Sequence, residues 1–345
     1  MFYINGKFLS QKITGVQRFA LEIVSRLNTT THEYTILAPK NIIEDEAFSS
    51  LNIRVIGQLT GSLWEQIDLP WYLNSIGNPL LVNLCNTAPV FYKNQVVTIH
   101  DLAFMFNPKW FSKQFVLWYK FLIPSLVKRS RKIITVSSFS KQELIRLLNV
   151  DSSKIVVVNN AASPIKKTSK SRSDYKNFIL FVGSMDPRKN LQTLLSAFSV
   201  CNIPDLKLII VGDVNSNFKQ VEIADSPDII RLGRVSDEVL SQLYTNAMVF
   251  VYPSYYEGFG IPPLEAMAHS CPVICSNTSS LPEVCGQAAL YFSPDRVNEL
   301  ANVIKSIVNE PELRAELIKR GQERVNFYSW EKSASSVIEI VNNLS

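Results

Sequence analysis

Two glutamates eight positions apart stand out in the run Tyr-Glu-Gly-Phe-Gly-Ile-Pro-Pro-Leu-Glu, which covers residues 256–265. Glu257 follows an apolar run. The two prolines suit the first turn of a helix, where a missing N–H costs nothing. We expect Glu265 in that first turn, so that both carboxylates face one pocket. Because carboxylates repel phosphate and accept bonds from hydroxyls, the pair predicts a sugar-binding site. An ordinary strand–turn–helix corner is the alternative.

The backbone between these glutamates can also approach a ligand closely. Glycine has no Cβ to keep a ligand away, and the N–H groups at the start of a helix attract anions. The backbone candidates for ligand contact are therefore Gly258, Phe259, Gly260 and Ile261.

Two adjacent cations, Arg188 and Lys189, follow another apolar run, which ends at Val182 and Gly183. A planar guanidinium and a compact ammonium at a strand-to-helix turn indicate a diphosphate clamp. The positive end of the helix dipole adds to their attraction for an anion. A solvated surface pair is the alternative.

His100 and Asp101 end an apolar run in the first half of the chain. A neutral imidazole there can bond a sugar hydroxyl, and the aspartate can orient the loop. A lone histidine is more often structural, which is the alternative.

Two further loops are suited to a nucleotide. Gly15 and Val16 join the first strand to the first helix, where the backbone can face a phosphate. Gly233 and Val235 follow a later strand, where the backbone can pair with a base. Ordinary loop chemistry explains both loops equally well.

Several ligand motifs are absent from the sequence. It has no Asp-x-Asp, no Gly-x-Gly-x-x-Gly after the first strand and no P-loop. We therefore expect no bound metal and no dinucleotide cofactor. Cys271 and Cys275 do not change this expectation, because strand positions four apart lie about 13 Å apart. We interpret them as small buried residues.

Short Val- and Ile-rich runs alternate with segments of helical period through the whole chain. Runs without polar alternation are typical of parallel strands that are buried on both faces, and the helices between them make right-handed crossovers. We predict two doubly wound α/β domains, residues 1–165 and 166–328, followed by a C-terminal segment, residues 329–345. The polar, lysine-rich stretch 161–176 is the predicted linker. The predicted strands are Phe2–Ile4, Tyr34–Leu37, Ile53–Ile56, Leu80–Leu84, Val96–Ile99, Lys132–Val136, Ile155–Val158, Phe178–Val182, Leu206–Val211, Ile229–Leu232, Met248–Tyr252, Pro272–Cys275 and Ala289–Phe292.

Taken together, these motifs resemble the paired-glutamate signature and accompanying loops of retaining GT-B glycosyltransferases of family 4. The match includes the stretch Thr135–Ser140, covers nearly the whole chain and is nearest to the mannosyltransferase-B-like branch, which builds bacterial O-antigen polysaccharides. The resemblance implies two Rossmann-like domains that face each other across a cleft. It also implies a C-terminal helix that returns to the N-terminal, acceptor-binding domain.

The resemblance also implies roles for the candidate residues. Arg188 and Lys189 are expected to bind the donor diphosphate, and Glu265 the ribose. Glu257 and the backbone of residues 258–260 are expected to hold the transferred sugar. His100 is expected near its reacting carbon, and Gly15 near the phosphates. Many relatives have several glycines in that first loop, where this chain has only Gly15.

Charge and composition limit the partners. The net charge of +5 divides into +7 for residues 1–165 and −2 for residues 166–345. Aromatic residues and lysines in the stretch 109–132 favour an anionic membrane surface, with a core helix and snorkelling lysines as the alternative. The uncharged stretch Leu69–Tyr92 contains three prolines and does not suit a membrane-spanning helix. We expect a cytoplasmic protein with free thiols, on or near the inner membrane face.

Other functions remain open on the sequence alone. A non-catalytic GT-B scaffold, a nucleic-acid-binding protein and a sugar-nucleotide epimerase are the competing hypotheses. The lysines lie in one aromatic-rich stretch rather than in a groove-reading motif, so we expect no nucleic-acid partner. GDP-mannose is the expected donor from the branch resemblance. Rhamnose, fucose and N-acetylhexosamine are alternative transferred sugars.

Overall fold

The structure, a computed structural model, describes residues 1–27, 33–162, 175–212 and 226–344, which form two compact units. The first unit contains residues 1–105, 113–160 and 329–345, and the second contains residues 106–112 and 161–328. The predicted boundary between residues 165 and 166 lies outside the described residues, as does most of the predicted linker.

The first unit is built on a parallel sheet. Its strands are β1 (Phe2–Asn5), β2 (Tyr34–Ala38), β3 (Ile53–Val55), β4 (Leu81–Asn83), β5 (Gln95–Thr98), β6 (Lys132–Thr135) and β7 (Ile155–Val157). Their order across the sheet is β3-β2-β1-β4-β5-β6-β7, and every pair is parallel. The helices between them are α1 (Gly15–Leu27), α2 (Gly61–Leu63), α3 (Leu69–Ser75), α4 (Ala103–Phe106), α5 (Lys113–Arg129) and α6 (Ser138–Leu148), with a π-helical turn at Trp64–Asp68.

The second unit repeats this plan with six strands. They are β8 (Phe178–Val182), β9 (Lys207–Val211), β10 (Ile229–Gly233), β11 (Val249–Tyr252), β12 (Val273–Ser276) and β13 (Ala289–Phe292). Their order is β10-β9-β8-β11-β12-β13, again parallel throughout. The helices are α7 (Leu191–Cys201), α8 (Asp237–Asn246), α9 (Ile261–Ala268), α10 (Leu281–Cys285), α11 (Val297–Asn309) and α12 (Pro311–Val325).

The predicted fold class of two doubly wound α/β sheets is confirmed, and each predicted apolar run contains a strand. The runs were recognisable because most of these strands have side chains buried on both faces, which leaves no polar alternation. None of the described helices combines the length and apolar character needed to cross a bilayer.

A last helix, α13 (Trp330–Asn342), belongs to the first unit. The Trp330 side chain is buried and lies against Phe19 of α1, with ring centroids 6.0 Å apart. Glu331 forms an ion pair of 2.8 Å with Arg26, which also belongs to α1. Farther along α13, the Ser333 hydroxyl donates to the carbonyl of Asn159 at 2.6 Å, and Val337, Ile340 and Val341 are buried.

In each sheet, successive strands of the chain are added first toward one edge and then, after a single reversal, toward the other edge. In the first sheet the reversal lies between β1 and β4, and in the second between β8 and β11. Loops at the carboxyl ends of two such strands run to opposite faces of the sheet and leave a crevice between them. The residues that follow these four strands are therefore the first place to look for a ligand site.

Gly212, directly after β9, provides a test of how closely the loops pack in the second unit. Its φ is 138°, and a Cβ on it would lie 2.0 Å from the carbonyl oxygen of Gly183. We expect Gly212→Ala to lower the free energy of unfolding by about 3 kcal/mol, because both the backbone conformation and the space exclude a methyl group. Urea unfolding followed by circular dichroism measures the change.

Gly233→Ala is the matched control for this substitution. Gly233 has a φ of 62°, but no described atom beyond its chain neighbours comes within 4 Å of a Cβ there. The expected loss is about 1 kcal/mol, from the left-handed backbone alone. Equal losses for the two variants would show that close approach to Gly183 is not what requires Gly212.

Candidate functional site

The loop after β8 places Arg188 and Lys189 immediately before helix α7. Asp186 precedes them, and its carboxylate accepts a hydrogen bond of 2.7 Å from the backbone N–H of Arg188. This bond caps the short 3₁₀ turn Pro187–Lys189. Both predicted cations therefore lie on one tight turn at the reversal point of the second sheet.

Asn190 anchors this turn to two neighbouring loops. Its amide nitrogen donates to the carbonyls of Pro253 and Pro294, at 3.0 and 2.9 Å. Its amide oxygen accepts from the Thr193 hydroxyl at 2.8 Å. No role was predicted for Asn190 from the sequence, although it is buried and fixes the end of the cationic turn.

Glu257, in the loop after β11, forms ion pairs with both cations. Its carboxylate oxygens lie 2.7 Å from Nζ of Lys189 and 3.1 Å from Nη1 of Arg188. Lys189 also donates to the Tyr252 hydroxyl at 2.6 Å, and Arg188 donates to the carbonyl of Tyr256 at 2.8 Å. The side chains of Arg188, Lys189 and Glu257 are 17%, 11% and 9% exposed, so the interpretation of a solvated surface pair is wrong.

Asp186 completes the charge balance of this cluster. One of its carboxylate oxygens lies 3.5 Å from Nη2 of Arg188. Two cations and two carboxylates therefore share the site, and their formal charges cancel. Each cation is already paired with a carboxylate. A diphosphate that binds here must therefore share Arg188 and Lys189 with Glu257 and Asp186.

The protonation of Glu257 follows from its neighbours. Burial raises the pKa of a carboxyl group, but the charges of Lys189 and Arg188 outweigh burial and lower the pKa of Glu257 to about 2. Burial lowers the pKa of Lys189, and the charge of Glu257 counteracts that effect. The carboxylate is therefore ionised at neutral pH and remains so in mild acid.

A hydroxyl-rich segment that begins at the last residue of β12, residues 276–280, holds the loop that carries Glu257. The Ser279 hydroxyl accepts from the backbone N–H of Glu257 at 3.0 Å. The Ser280 hydroxyl donates to the carbonyls of Glu257 and Phe259, at 2.9 and 2.7 Å. The same segment adds a bond from Ser276 to the carbonyl of Ser254 and one from Thr278 to the carbonyl of Tyr255. The sequence analysis missed this segment, whose only signal is a Ser/Thr cluster after an apolar run.

Helix α9 begins after Gly260, which has a φ of 98°. A Cβ on Gly260 would lie 2.7 Å from a methyl carbon of Leu281, so both the backbone and the space require glycine. Pro262 and Pro263 occupy the first turn of the helix as predicted. Because neither proline has an N–H, this helix start offers fewer donors to an anion than the sequence analysis assumed.

The prediction that Glu265 lies in the first helical turn is wrong. It is the fifth residue of α9 and lies in the second turn, since one turn takes about 3.6 residues. Its carboxylate accepts a hydrogen bond of 3.3 Å from the hydroxyl of Tyr244, and its carbonyl contacts the His269 ring at 2.8 Å. The His269 ring also contacts Ser241, so this histidine has a structural role.

The remaining candidates of the second unit lie at the carboxyl edge of its sheet. Gly183 directly follows β8, Gly233 ends β10, and Val235 lies two residues farther on. Gly212 follows β9 between them, and its N–H donates to the carbonyl of Gly233 at 2.8 Å. The sequence analysis did not select Gly212, although a glycine directly after the apolar run Leu206–Val211 was a usable signal.

In the first unit, His100 is buried two residues after β5. Its Nε2 lies 3.0 Å from the carbonyl oxygen of Leu84, and Phe19 lies edge-on with ring centroids 5.0 Å apart. Burial lowers the pKa of His100, while the bond to Leu84 and the charge of Asp101 oppose that effect. A neutral ring with its proton on Nε2 keeps Nδ1 as an acceptor for a hydroxyl.

The other candidates of the first unit lie at helix starts. The Asp101 carboxylate accepts a hydrogen bond of 3.0 Å from the backbone N–H of Ala103, and so orients the loop before α4. Gly15 and Val16 are the first two residues of α1. The predicted site residues thus divide between two sheets, with these three and His100 on the first and the remainder on the second.

Comparisons with known proteins agree with this architecture. A family model described as "Glycosyl transferases group 1" matches residues 163–324, and one described as "Glycosyltransferase Family 4" matches residues 13–164. The O-antigen chain mannosyltransferase B of Escherichia coli is 33% identical over 274 residues, which cover 73% of this chain and 72% of that protein. The O-antigen chain mannosyltransferase RfbU of Salmonella typhimurium is 28% identical over 326 residues, covering 90% and 91%.

The similarity extends to solved structures. The Anabaena protein Alr3699/HepE, solved in complex with UDP-glucose, superposes with a TM-score of 0.77 over 99% of each chain. Its sequence identity to this chain is 16%, so the likeness is one of fold alone.

The low pKa of Glu257 makes the stability of the protein depend on pH in acid. A carboxyl group whose pKa is lowered on folding stabilises the protein above its unfolded pKa and loses this effect as the pH falls toward its folded value. We expect Glu257→Gln to be less stable than the wild type at pH 7 by about 3 kcal/mol. The difference should shrink as the pH falls from about 4.5 toward 2. Urea unfolding at a series of pH values measures it.

Glu331→Gln is the control for general acid effects. The pKa of Glu331 is also lowered to about 2, mainly by its hydrogen bond with Ser329, but its side chain is 72% exposed. Solvent screening should leave this variant close to the wild type at every pH. If Glu257→Gln followed the same course as Glu331→Gln, the buried ion pairs would not control acid stability.

Proposed function

This chain belongs to glycosyltransferase family 4, and on that basis we propose that it is a retaining enzyme that transfers a hexose from a nucleotide sugar. It is a glycosyltransferase of the GT-B type, with two Rossmann-like sheets. We propose a saccharide or lipid-linked saccharide as its acceptor, and a bacterial surface polysaccharide, O antigen or capsule, as its product.

One observation carries this proposal. The partly buried Arg188 and the buried Lys189 and Glu257 meet at the reversal point of the second sheet, where a doubly wound fold receives its ligand. Cations held in place by carboxylates and carbonyls need little reorganisation when charge develops on a bound diphosphate. A scaffold that only bound sugars would not require cations held in this way.

The proposed reaction is a same-face substitution. The bond between the anomeric carbon and the phosphate oxygen breaks, and the electron pair stays on the phosphate. The acceptor oxygen bonds to the same face of that carbon, and its proton passes to the leaving phosphate oxygen. Arg188 and Lys189 stabilise the negative charge that grows on the diphosphate. The step includes no covalent adduct with the protein, so the trapping of one would contradict it.

The remaining candidates have supporting roles in this proposal. Glu265 binds the ribose, and Glu257 with the backbone of residues 258–260 binds the transferred sugar. Glu257 can do this while paired, because a carboxylate has about four acceptor positions and the two cations engage only part of them. His100 contacts the sugar near its reacting carbon through Nδ1. Gly15 lies by the phosphates.

Mannose is our first choice for the transferred sugar and GDP-mannose for the donor. The support is that two relatives carry the name O-antigen chain mannosyltransferase. Rhamnosyl, fucosyl and N-acetylhexosaminyl transfer are the alternatives within the same fold. A sugar-nucleotide epimerase would convert the donor in the absence of an acceptor. Analysis of the products formed without acceptor therefore distinguishes an epimerase from the proposed glycosyltransferase.

We also propose that the first unit meets an anionic membrane surface through α5. Leu117, Trp118 and Phe121 are exposed by 75%, 38% and 55%, and Lys113 and Lys120 are exposed beside them. An apolar helix face with lysines at its margins matches the boundary between lipid headgroups and acyl chains. The inward face of α5 is buried core, so only the outward face can serve this role.

The predicted membrane stretch 109–132 needs one correction. It is not a single helical element, since α5 covers residues 113–129 and is preceded by the 3₁₀ turn Pro108–Trp110. Residues 106–112 belong to the second unit, and Trp110 is buried. The proposed membrane contact is therefore limited to α5.

A thermal-shift panel of nucleoside diphosphates and nucleotide sugars tests the donor site. We expect one nucleotide to raise the melting temperature of the wild type, because ligand binding to the folded state alone stabilises it. Arg188→Ala should lose this shift and about a hundredfold of the transfer rate, because it removes a preorganised donor from the leaving group. Running the panel with and without EDTA tests the expectation that no metal is needed.

Arg320→Ala is the matched control for Arg188→Ala. Arg320 lies in the same unit and pairs with Glu316, but both side chains are nearly half exposed. This variant should keep the nucleotide shift and the transfer rate. If no nucleotide stabilised the wild type, the non-catalytic scaffold would become the better hypothesis.

Vesicle cosedimentation tests the membrane contact. The double variant Trp118→Ala/Phe121→Ser should bind vesicles rich in phosphatidylglycerol about tenfold more weakly than the wild type, because it removes apolar area that would enter the lipid. Phe327→Ala, which removes an exposed ring from the second unit, is the control and should bind like the wild type. Equal binding by all three proteins would contradict the proposal.

A further inference from the structure

The first sheet has a charged pair of its own at the point where its strand order reverses. Asn5 ends β1 and Asn83 ends β4, and these two strands lie on either side of that point. Their side chains are joined by a hydrogen bond of 2.9 Å. Lys7 and Glu65 form a buried ion pair of 2.8 Å beside them, with side chains 11% and 2% exposed. The donor reaction proposed above uses none of these residues.

Glu65 is the centre of this cluster. One carboxylate oxygen accepts from the Asn5 amide at 2.9 Å and from the Thr87 hydroxyl at 2.8 Å, and the other accepts from Lys7. Lys7 also donates to Thr87 at 3.3 Å. Among the residues that the structure describes, Lys7 therefore engages two of its three N–H groups, and one remains for another acceptor.

Fold stability gives no sufficient reason for this arrangement. Burying two charges costs several kcal/mol in desolvation, and apolar side chains of similar volume often stabilise a protein as well or better. Glu65 also lies in the π-helical turn Trp64–Asp68, a geometry that is frequent at functional sites. The pair is placed where a ligand would use it, in the crevice at the carboxyl ends of β1 and β4.

A small cavity opens on this cluster. Its volume is about 10 Å³, and Lys7, Gln11, Glu65, Cys85 and Thr87 are among its lining residues. That is room for about one water molecule or one hydroxyl group. The lining offers an ammonium donor in Lys7 and a hydroxyl in Thr87, and a ligand hydroxyl suits both because it can donate and accept.

The cavity shares a chain segment with His100. Thr87 and Cys85 line the cavity, while the carbonyl of Leu84 and the amide of Asn86 bond to the ring and the backbone of His100 at 3.0 and 2.8 Å. Residues 84–87 therefore connect the two sites directly. A hydroxyl-bearing ligand in the cavity would lie next to the histidine that we place near the reacting carbon.

We propose that the Lys7–Glu65 cavity binds a hydroxyl group of the acceptor saccharide and so orients the acceptor for attack. Lys7 and Thr87 contact that hydroxyl, and Glu65 and Asn5 are positioning residues that hold them. The inference rests on the proposed function, since it assigns part of the acceptor site of the same enzyme.

The double variant Lys7→Met/Glu65→Leu tests the proposal, because it removes both charges while keeping the side-chain volumes similar. We expect the nucleotide-induced thermal shift and the acceptor-free hydrolysis of the donor to match the wild type. Transfer to a panel of methyl glycosides should show a KM for the acceptor raised about tenfold or more, from the loss of charge-assisted hydrogen bonds. Glu22→Leu/Arg26→Met removes a partly buried ion pair of α1 and serves as the matched control, with unchanged KM.

Two further measurements keep the result interpretable. Saturation-transfer NMR measures binding of the same methyl glycosides directly, without turnover, and the double variant should lose the signal that the wild type gives. Thr87→Val, which keeps the ion pair, should raise the acceptor KM by a smaller factor and covers the case in which the double variant does not fold.

An unchanged KM in both variants, or no glycoside binding by the wild type, would overturn the assignment. Failure of the proposed function is distinguishable, because the wild type would then show neither nucleotide shift nor donor hydrolysis.

Discussion

The second unit depends on one buried carboxylate that two cations share, one of them buried and the other partly buried. The Glu257 side chain can be ionised at 9% exposure only because Lys189 and Arg188 lie within 3.1 Å, and each cation in turn needs the carboxylate. The three groups belong to loops after β8 and β11, which are distant in sequence and adjacent in the sheet. The strand order therefore has to be formed before the charges can be buried at acceptable cost. The ion pairs of the site therefore depend on the order of the strands in the sheet.

The loop that carries Glu257 is held in place by residues that take no part in the proposed reaction. Hydroxyls of Ser279 and Ser280 bond to its backbone on both sides of the carboxylate, and Asn190 ties the cationic turn to the neighbouring loops. Such bonds fix where the charges point without adding charge themselves. Stabilising a leaving diphosphate requires donors that are already oriented, since reorientation during the reaction would cost part of the gain. The neutral hydroxyls and amide are thus as necessary to the proposed chemistry as the ions that they orient.

The sequence was informative wherever one local pattern determined the structure. Apolar runs predicted the strands because burial on both faces removes polar alternation, and two prolines predicted the start of α9. It was uninformative where a partner lies far along the chain. Glu257 pairs with Lys189 and Arg188, which lie 68 and 69 positions earlier in the chain, and no local pattern in the sequence indicates this pairing. The bonds from the segment 276–280 likewise have no local pattern that predicts them. Glu265 was misplaced by one turn because the prolines mark where a helix starts but do not show which way a later side chain faces.

The two sheets solve a similar problem with different chemistry. Each places a lysine–glutamate pair at its reversal point, Lys7–Glu65 in the first and Lys189–Glu257 in the second. In the second, Arg188 and Asp186 join the pair, so two cations are available to the proposed diphosphate although the formal charges of the site cancel. In the first, the neighbours are amides and a hydroxyl, and the pair gives a local dipole with donors and acceptors but no net charge. A single ammonium that is already paired attracts a phosphate less than two cations do, so this pair is better suited to the neutral, hydroxyl-rich acceptor that we propose. The difference between the neighbours of the two pairs therefore gives a physical basis for the proposal that one sheet receives a charged donor and the other a neutral acceptor.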